Sequence, residues 1–434
     1  MKTIRYIIVL AFTINIISGF AQTRNIIWTH GLGEDSTAWQ HYATIFENER
    51  DIHSVNPHYA TNDHTINFST SNFITYTNSA GTNSRNLGVG HSLGGLVLRN
   101  QERMGYNRVG GLITVNTPNY GAQILESVDD GSVINAANSG TSMLTAGPLS
   151  EIGNPVLQLG AGLVSSGLSS WLFSNRIFND LGSNGGNAMH VDLKPNSTAL
   201  NNINSYNSSL PRISMWGNET SPVHWRLVSS TMPSNSTFYN ADLDISAVLI
   251  ATRVRGFYQS HFINHIALAI ACSVGGFWNP YCWWQVAVHT FRAVMWKQGA
   301  NWMDNSEAIW CSLIKTTRQE EHQFWEQVFV PDSDYDECLT YLDEDYPYAY
   351  DCGTFEWQWV THTVPVTYPS DGFLAKYTQI MKNNPTPNNE YEILGANHFE
   401  VLNMSTNLEN GLIRDNTRTK LNEIFNRGDF FRTN

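Results

Sequence analysis

The pentapeptide Gly90-His-Ser-Leu-Gly94 constrains the fold of this chain more than any other stretch of its sequence. Residues 87–90 form a short apolar run, which predicts a strand, and residues 93–103 have the pattern of a helix. Between a strand and a helix, the G-x-S-x-G pattern forms a sharp turn that holds its serine in strained backbone geometry. Glycine is needed two residues before and two after, because the backbones approach closely there. We therefore predict that Ser92 is presented at the top of a sheet as a nucleophile.

The rest of the chain alternates between strand and helix patterns. Residues 36–46 place Trp39, Tyr42 and Phe46 on one helical face. Further segments resemble strands or a closing helix: strands at residues 25–29, 109–115, 212–216 and 391–394, and the helix at 412–425. Such alternation predicts an α/β fold with a mainly parallel central sheet and helices on both faces.

An oxyanion that develops at a reacting carbonyl needs N–H donors close to the nucleophile. The backbone amide of Leu93 is one candidate, because it lies at the start of a helix whose positive end points at the site. The loop His30-Gly-Leu-Gly33 follows an earlier strand and offers a second amide. We therefore expect the amides of Leu32 and Leu93 to form an oxyanion hole.

The base is expected in a loop after the last strand, and the acid between nucleophile and base in the chain. His398 lies in such a loop, Gly395-Ala-Asn-His398, whereas His91 is expected to point away from the nucleophile. Two carboxylates compete for the role of acid. Glu219 follows the strand at residues 212–216, and Asp371 precedes a glycine that suits a tight turn. We prefer Asp371, which would fix the tautomer of the base, and keep Glu219 as the alternative.

The amino terminus has the pattern of an export signal. Lys2 and Arg5 precede the apolar residues 6–17, and Ser18 and Ala21 supply the small residues of a cleavage site. The apolar stretch is shorter than the roughly 20 residues of a transmembrane helix. We predict cleavage after Ala21 and an exported protein, secreted or periplasmic. The formal charge of −13 argues against nucleic acid as a partner.

Two segments interrupt the predicted sheet. Residues 120–205, rich in Gly, Ser, Asn and Leu, are expected to form a lid. Residues 226–365 contain nine of the 14 tryptophans and all five cysteines. Because cysteines of exported proteins tend to pair, we expect a helical cap insertion stapled by at most two disulfides of open connectivity. A second domain docked on the core is the alternative. The predicted organisation is a signal at 1–21, core at 22–225, cap insertion at 226–365 and core at 366–434.

Six stretches, in the same order along the chain, resemble bacterial true lipases and related lipid esterases of the α/β-hydrolase superfamily, and also GPI inositol-deacylase-like hydrolases. These stretches are Thr29-His-Gly-Leu-Gly33, Gly88-Val-Gly-His-Ser-Leu-Gly-Gly95, Val115-Asn-Thr-Pro-Asn-Tyr-Gly121, Ser214-Met-Trp-Gly217, Ser370-Asp-Gly-Phe-Leu374 and Asn397-His398. The resemblance implies the α/β-hydrolase fold, with Ser92 as nucleophile, Asp371 as acid and His398 as base. It also implies that Leu32 and Leu93 are the oxyanion-hole residues.

These features predict a secreted serine carboxylic-ester hydrolase that cleaves a fatty-acyl ester of a lipid, or another hydrophobic ester, through an acyl-enzyme on Ser92. An amidase or a thioesterase would use the same residues, and a non-catalytic binding protein on a hydrolase fold is the alternative from another class. No cofactor is expected. Similar lipases suggest a structural calcium near Glu400. The acidic residues 332–337 are a weaker candidate, because Glu337 replaces the glycine of a calcium loop. The oligomeric state stays open.

Overall fold

The computed structural model describes residues 24–50, 52–80, 86–149, 187–219, 243–275, 280–333, 335, 352–382, 388–402, 406–409 and 412–427. The predicted export signal and residues 150–186 of the predicted lid therefore lie outside the described residues. The chain divides into two compact units. Met1–Lys315 and Pro369–Asn434 form the first, and Thr316–Tyr368 form the second. The predicted cap insertion, residues 226–365, is therefore divided between both units.

The described strands, in chain order, are β1 (Arg24–Thr29), β2 (Ile52–Val55), β3 (Asn86–His91), β4 (Gly111–Val115), β5 (Arg212–Asn218), β6 (Thr317–Pro331), β7 (Gly353–Thr367), β8 (Glu390–Leu394), β9 (Thr406–Glu409) and β10 (Leu412–Asp415). A six-stranded sheet with the order β2-β1-β3-β4-β5-β8 forms the centre of the first unit. Every neighbouring pair in it is parallel, as the sequence predicts.

The described α-helices are α1 (Gln40–Glu49), α2 (Ile66–Tyr76), α3 (Leu93–Arg103), α4 (Ile124–Asp129), α5 (Ser132–Leu149), α6 (Ala188–Leu193), α7 (Thr198–Ser205), α8 (Leu243–Gly275), α9 (Pro280–Leu313), α10 (Lys376–Gln379) and α11 (Asn416–Phe425). Alternate residues of β1 point to opposite sides of the sheet. Trp28 packs into the core with α1 and α11, whereas Ile27 packs into the core with α2 and α3. The sheet is thus covered on both faces, which is the predicted layer order.

Helices α8 and α9 form a long antiparallel hairpin in the first unit. Its seam brings the rings of Tyr258 and Trp296 to 5.2 Å, and Nδ1 of His265 to 3.1 Å from Nδ1 of His289. The hairpin is anchored where its two helices meet the rest of the unit. The Tyr258 hydroxyl donates to the carbonyl of Leu144 in α5. None of the helices in the described ranges combines the length and hydropathy of a membrane-spanning segment.

The second unit is built on an antiparallel ribbon of β6 and β7, paired from Thr317↔Thr367 to Pro331↔Gly353. One face of this ribbon carries Trp325, Trp357 and Trp359, all exposed. The prediction of a helical insertion therefore fits α8 and α9 but not the β6–β7 ribbon. The later part of residues 226–365 forms strands because aromatic and β-branched residues alternate with polar ones there.

The prediction of a closing helix at residues 412–425 is wrong for its first turn. Residues 412–415 form β10, which pairs with β9, and α11 begins only at Asn416. The side chain of Asp415 accepts a hydrogen bond from the amide of Arg418, so it caps the helix at that point.

Candidate active site

Ser92 lies on the turn between β3 and α3 and has the strained backbone that the sequence predicts. Its φ is 49° and its ψ is −123°. A Cβ on Gly90 would lie 2.6 Å from the amide nitrogen of Gly95, and one on Gly94 would lie 2.5 Å from the carbonyl oxygen of Thr29. Such distances leave no room for a side chain, so both glycines are required for the turn to form.

The structure brings the side chains of Ser92, His398 and Asp371 together. Nε2 of His398 lies 3.1 Å from Oγ of Ser92, and Nδ1 lies 2.7 Å from Oδ2 of Asp371. His398 follows β8 and is 2% exposed, whereas Asp371 is fully buried. A nucleophile, a base and an acid linked in this order have the geometry of acyl transfer through a serine.

The Asp371 carboxylate is fixed by its own turn. Its Oδ1 accepts hydrogen bonds from the amides of Phe373 at 2.9 Å and Leu374 at 2.6 Å, which leaves Oδ2 for His398. Gly372 has a φ of 85°, a left-handed conformation that glycine adopts without strain. This position explains the Asp-Gly pair that the sequence analysis favoured.

Glu219, the alternative acid, lies beside this turn rather than against the base. Its backbone amide donates to the carbonyl of Ser370 at 2.7 Å, and its side chain is nearly buried. The carboxylate that contacts the ring of His398 is that of Asp371. The structure therefore brings Asp371, and not Glu219, into the chain of hydrogen bonds.

The loop after β1 and the start of α3 border the nucleophile. The amides around the two candidate donors are engaged: Gly31 donates to Glu34, Gly33 to Thr61 and Ser92 to Val115. Among the residues that the structure describes, the Leu32 and Leu93 amides have no hydrogen-bond acceptor. Both residues are at the positions from which the sequence predicts oxyanion donors.

His91 and Glu34 form a buried pair that the sequence analysis did not anticipate. Nδ1 of His91 lies 3.1 Å from Oε2 of Glu34, and Nε2 lies 2.8 Å from the carbonyl oxygen of His398. A carboxylate and a carbonyl both accept hydrogen bonds, so His91 satisfies them only if both ring nitrogens carry protons. The ring of His91 is bonded to the backbone of the base.

The electrostatics of this pair agree with its geometry. Burial is the largest influence on His91 and opposes its charge, but the Glu34 carboxylate and the His398 carbonyl together outweigh it. The pKa of His91 is therefore raised. Burial also disfavours the Glu34 carboxylate, yet the charge and hydrogen bond of His91 lower the pKa of Glu34 overall. Both shifts favour the pairing of an imidazolium with a carboxylate, next to the nucleophile in the chain.

A small cavity opens at Ser92 and His398. Its volume is about 30 Å³. Besides Glu34 and His91, its lining is apolar: Leu32, Pro118, Ala122, Leu125, Leu193, Phe373, Leu374 and Phe399. Such a lining suits a hydrocarbon chain.

Glu400, the residue considered for calcium, accepts a hydrogen bond from the amide of Asn397 at 3.2 Å. Within the described ranges there is no group of three His, Cys, Asp or Glu side chains that could hold a metal ion. The acidic residues 332–337 lie partly outside those ranges.

Comparisons with known proteins add likenesses of low identity. No protein-family model matches the sequence, and no curated protein matches it. Among solved structures, an extracellular alpha/beta-hydrolase from Paenibacillus species is 18% identical, with 24% of this chain and 46% of that chain covered and a TM-score of 0.21. This chain thus spans about half the length of that protein. Est816, described as an N-acyl homoserine lactone degrading enzyme, is 15% identical, with 49% and 82% covered and a TM-score of 0.28. An epoxide hydrolase of Bacillus megaterium is 15% identical, with 46% and 77% covered and a TM-score of 0.23.

The fold itself follows from the sheet and the position of the site. Six parallel strands are covered by helices on both faces, and Ser92 is on the turn from β3 into α3. The partners follow in the chain order Ser, Asp, His. Ser92 follows β3, His398 follows β8, and the turn of Asp371 is bonded to Glu219 just beyond β5. The chain therefore has the α/β-hydrolase fold.

Proposed function

We propose that this protein is an exported serine carboxylic-ester hydrolase that cleaves a fatty-acyl ester. The hydrogen-bonded chain from Ser92 through His398 to Asp371 carries the proposal. The apolar lining of the cavity beside Ser92 supports a hydrophobic acyl group.

In the proposed reaction, Oγ of Ser92 attacks the ester carbonyl while Nε2 of His398 takes the serine proton. The carbonyl oxygen gains the negative charge, and the Leu32 and Leu93 amides donate hydrogen bonds to it. The tetrahedral intermediate collapses as His398 returns the proton to the leaving alcohol. Water, activated by the same base, then releases the fatty acid from the acyl-enzyme. Asp371 keeps the second ring proton of His398 on Nδ1 throughout.

We further propose that the lid at residues 120–205 and the end of α9, within the predicted cap insertion, border the acyl site. One contact supports the cap: Nε1 of Trp310, near the end of α9, donates to the carbonyl of Gly372 at 2.6 Å. Gly372 adjoins the acid, so α9 reaches the catalytic rim. Replacing Trp310 by phenylalanine should change the ratio of kcat/KM for long-chain and short-chain esters. An unchanged ratio would favour a domain docked without contact to substrate.

We also propose export and disulfide stapling, and each has a direct test. Mass spectrometry of the secreted protein should give a mature chain that begins at Gln22, with disulfides among the five cysteines. A fall of the melting temperature in EDTA, reversed by calcium, would support a calcium site near Glu400.

A panel of substrates tests the activity. We expect hydrolysis of p-nitrophenyl esters with kcat/KM rising from acetyl toward longer acyl chains, together with labelling of Ser92 by a fluorophosphonate probe. Faster cleavage of matched anilides or thioesters would make the protein an amidase or a thioesterase. If no acyl compound is hydrolysed and Ser92 is not labelled, the protein would be a binding protein with this fold.

A further inference from the structure

The outer part of the α8–α9 hairpin is more apolar than a helix pair exposed to water needs to be. Arg255 and Arg292 bound 36 residues, 256–291, that contain no Asp, Glu, Lys or Arg. In the seam, Tyr258 packs on Trp296 and His265 bonds to His289, so Arg292 lies level with Phe262. From that level outward, the described parts of both helices carry no charged side chain. We call this part, residues 263–275 of α8 and 280–291 of α9, the hairpin tip.

Large apolar side chains of the hairpin tip point away from the seam. Ile263 is 61% exposed, Ile270 is 58% exposed and Phe291 is 56% exposed, with Leu268 and Ile266 also exposed. At 100° per residue, Ile263 and Ile270 lie on one flank of the seam residues, and Leu268 lies on the other. A helix that is apolar on several sides is normally buried or surrounded by lipid.

We propose that the hairpin tip inserts into one leaflet of a lipid surface and thereby docks the enzyme on its substrate. For its biological purpose this inference rests on the proposed lipid-ester activity. A protein partner would cover one flank and would meet a polar rim, whereas hydrocarbon can surround both flanks. The absence of charge matches hydrocarbon rather than anionic headgroups, so neutral lipid is the expected partner.

Three features of the hairpin fit insertion. Helices satisfy their own backbone hydrogen bonds, as a hydrocarbon environment demands. His265 and His289, two polar groups in the seam, are hydrogen-bonded to each other. The 13 residues of α8 from Ile263 to Gly275 rise by about 20 Å at 1.5 Å per residue, close to the roughly 15 Å of one leaflet core.

Charged groups gather at the level where the tip would leave the lipid. Arg255 forms an ion pair with Asp304, and Nζ of Lys297 lies 5.6 Å from the centre of the Phe262 ring. The cations Arg255 and Lys297, together with Arg292, lie on the side of the tip that faces the rest of the unit, and we call these three the collar. Below the collar, Trp302 packs on Gly140 of α5, and the Ser127 hydroxyl donates to the Leu313 carbonyl at 2.7 Å. The collar would set the depth to which the tip inserts. The end of the hairpin that is anchored to α5 would then hold the active site close to the lipid surface.

The test is flotation of the mature protein with neutral phosphatidylcholine vesicles. The triple variant Ile263→Gln, Ile270→Gln, Phe291→Gln removes apolar contacts without touching the core. We expect its partition coefficient to fall at least roughly 100-fold. The matched control is Phe68→Gln, Tyr76→Gln, Tyr106→Gln, three exposed apolar residues elsewhere in the unit, and it should float like the wild type. Both variants should hydrolyse soluble p-nitrophenyl butyrate like the wild type.

The outcomes separate the docking proposal from the proposed activity. Vesicle binding that needs the hairpin tip, without hydrolysis of any ester, would uphold docking and overturn the activity. Ester hydrolysis by a wild type that does not float, or equal flotation of the triple variant, would overturn docking. A dimer in light scattering that the triple variant dissociates, without vesicle binding, would show that a second copy of the chain covers this surface instead.

Discussion

Replacing Asp371 by asparagine is expected to disable His398 without changing the shape of the site. Oδ1 of Asp371 accepts the amides of Phe373 and Leu374, and Oδ2 accepts the Nδ1 proton of His398. An asparagine has one oxygen, and the two fixed backbone donors will hold that oxygen at the Oδ1 position. Its NH₂ group then faces Nδ1 of His398.

The consequence is a reversed tautomer of the base. Nδ1 must accept a hydrogen bond from the asparagine, so the ring proton moves to Nε2, 3.1 Å from Oγ of Ser92. A protonated Nε2 cannot remove the serine proton. Loss of the acid in this way lowers kcat by about 10⁴-fold in a serine triad. That factor corresponds to about 5.5 kcal/mol of transition-state stabilisation.

The assay is the kcat for p-nitrophenyl butyrate at neutral pH, with thermal unfolding as the measure of folding. Glu219→Gln is the matched control, because it removes a neighbouring, nearly buried carboxylate that does not contact the His398 ring. We expect it to retain most of the activity. An Asp371→Asn variant that keeps more than a tenth of the wild-type kcat would refute the tautomer argument. A larger loss in Glu219→Gln would give the acid role to Glu219.

Three further predictions follow from the site. Ser92→Ala should abolish ester hydrolysis and fluorophosphonate labelling in a folded protein, and labelling that persists would remove Ser92 from the mechanism. Gly90→Ala should lower stability by about 1–3 kcal/mol through overpacking, whereas Gly256→Ala, whose Cβ would meet nothing within 4 Å, should not; equal melting temperatures would contradict this. Because the pKa of His91 is raised, its pairing stabilises the fold at lower pH and is lost as pH rises through that pKa. Glu34→Gln should therefore move the alkaline fall in melting temperature to lower pH, and a superimposable profile between pH 5 and 9 would disprove the pairing.

The core elements around the site could be predicted because several signals agree there. Helix α3 occupies Leu93–Arg103 in the structure, the range that the sequence predicts, since an apolar strand and the glycine-bounded turn fix its start. The strands that precede Leu32, Ser92 and His398 were also expected. The glycine after Asp371 favours this residue over Glu219 as the acid. The φ of 85° at Gly372 shows why a glycine is needed there.

Elements that depend on tertiary contacts could not be predicted in the same way. Helix α2 has the sequence INFSTSNFITY, whose Ser, Thr and Asn residues favour turns and caps over helix interiors. It is helical because Thr65 caps it and Ile66 and Phe73 are buried. Strand β2 has only four residues at the sheet edge, too few for a periodic pattern. The pairing of His91 with Glu34 joins residues 57 apart, which no local pattern reveals.

That pair also explains how the base and nucleophile keep their alignment although 306 residues separate them in the chain. The carbonyl of His398 accepts from His91, which adjoins Ser92, and the amide of His398 donates to the carbonyl of Asp371 at 2.8 Å. The loop of the base is thus bonded directly to the turn of the nucleophile and to the turn of the acid. Charge-assisted bonds such as that of His91 contribute about 1.5–3 kcal/mol each, and catalytic groups must hold their positions within about 0.5 Å. Direct bonds to the backbone of the base therefore fix its position relative to both turns.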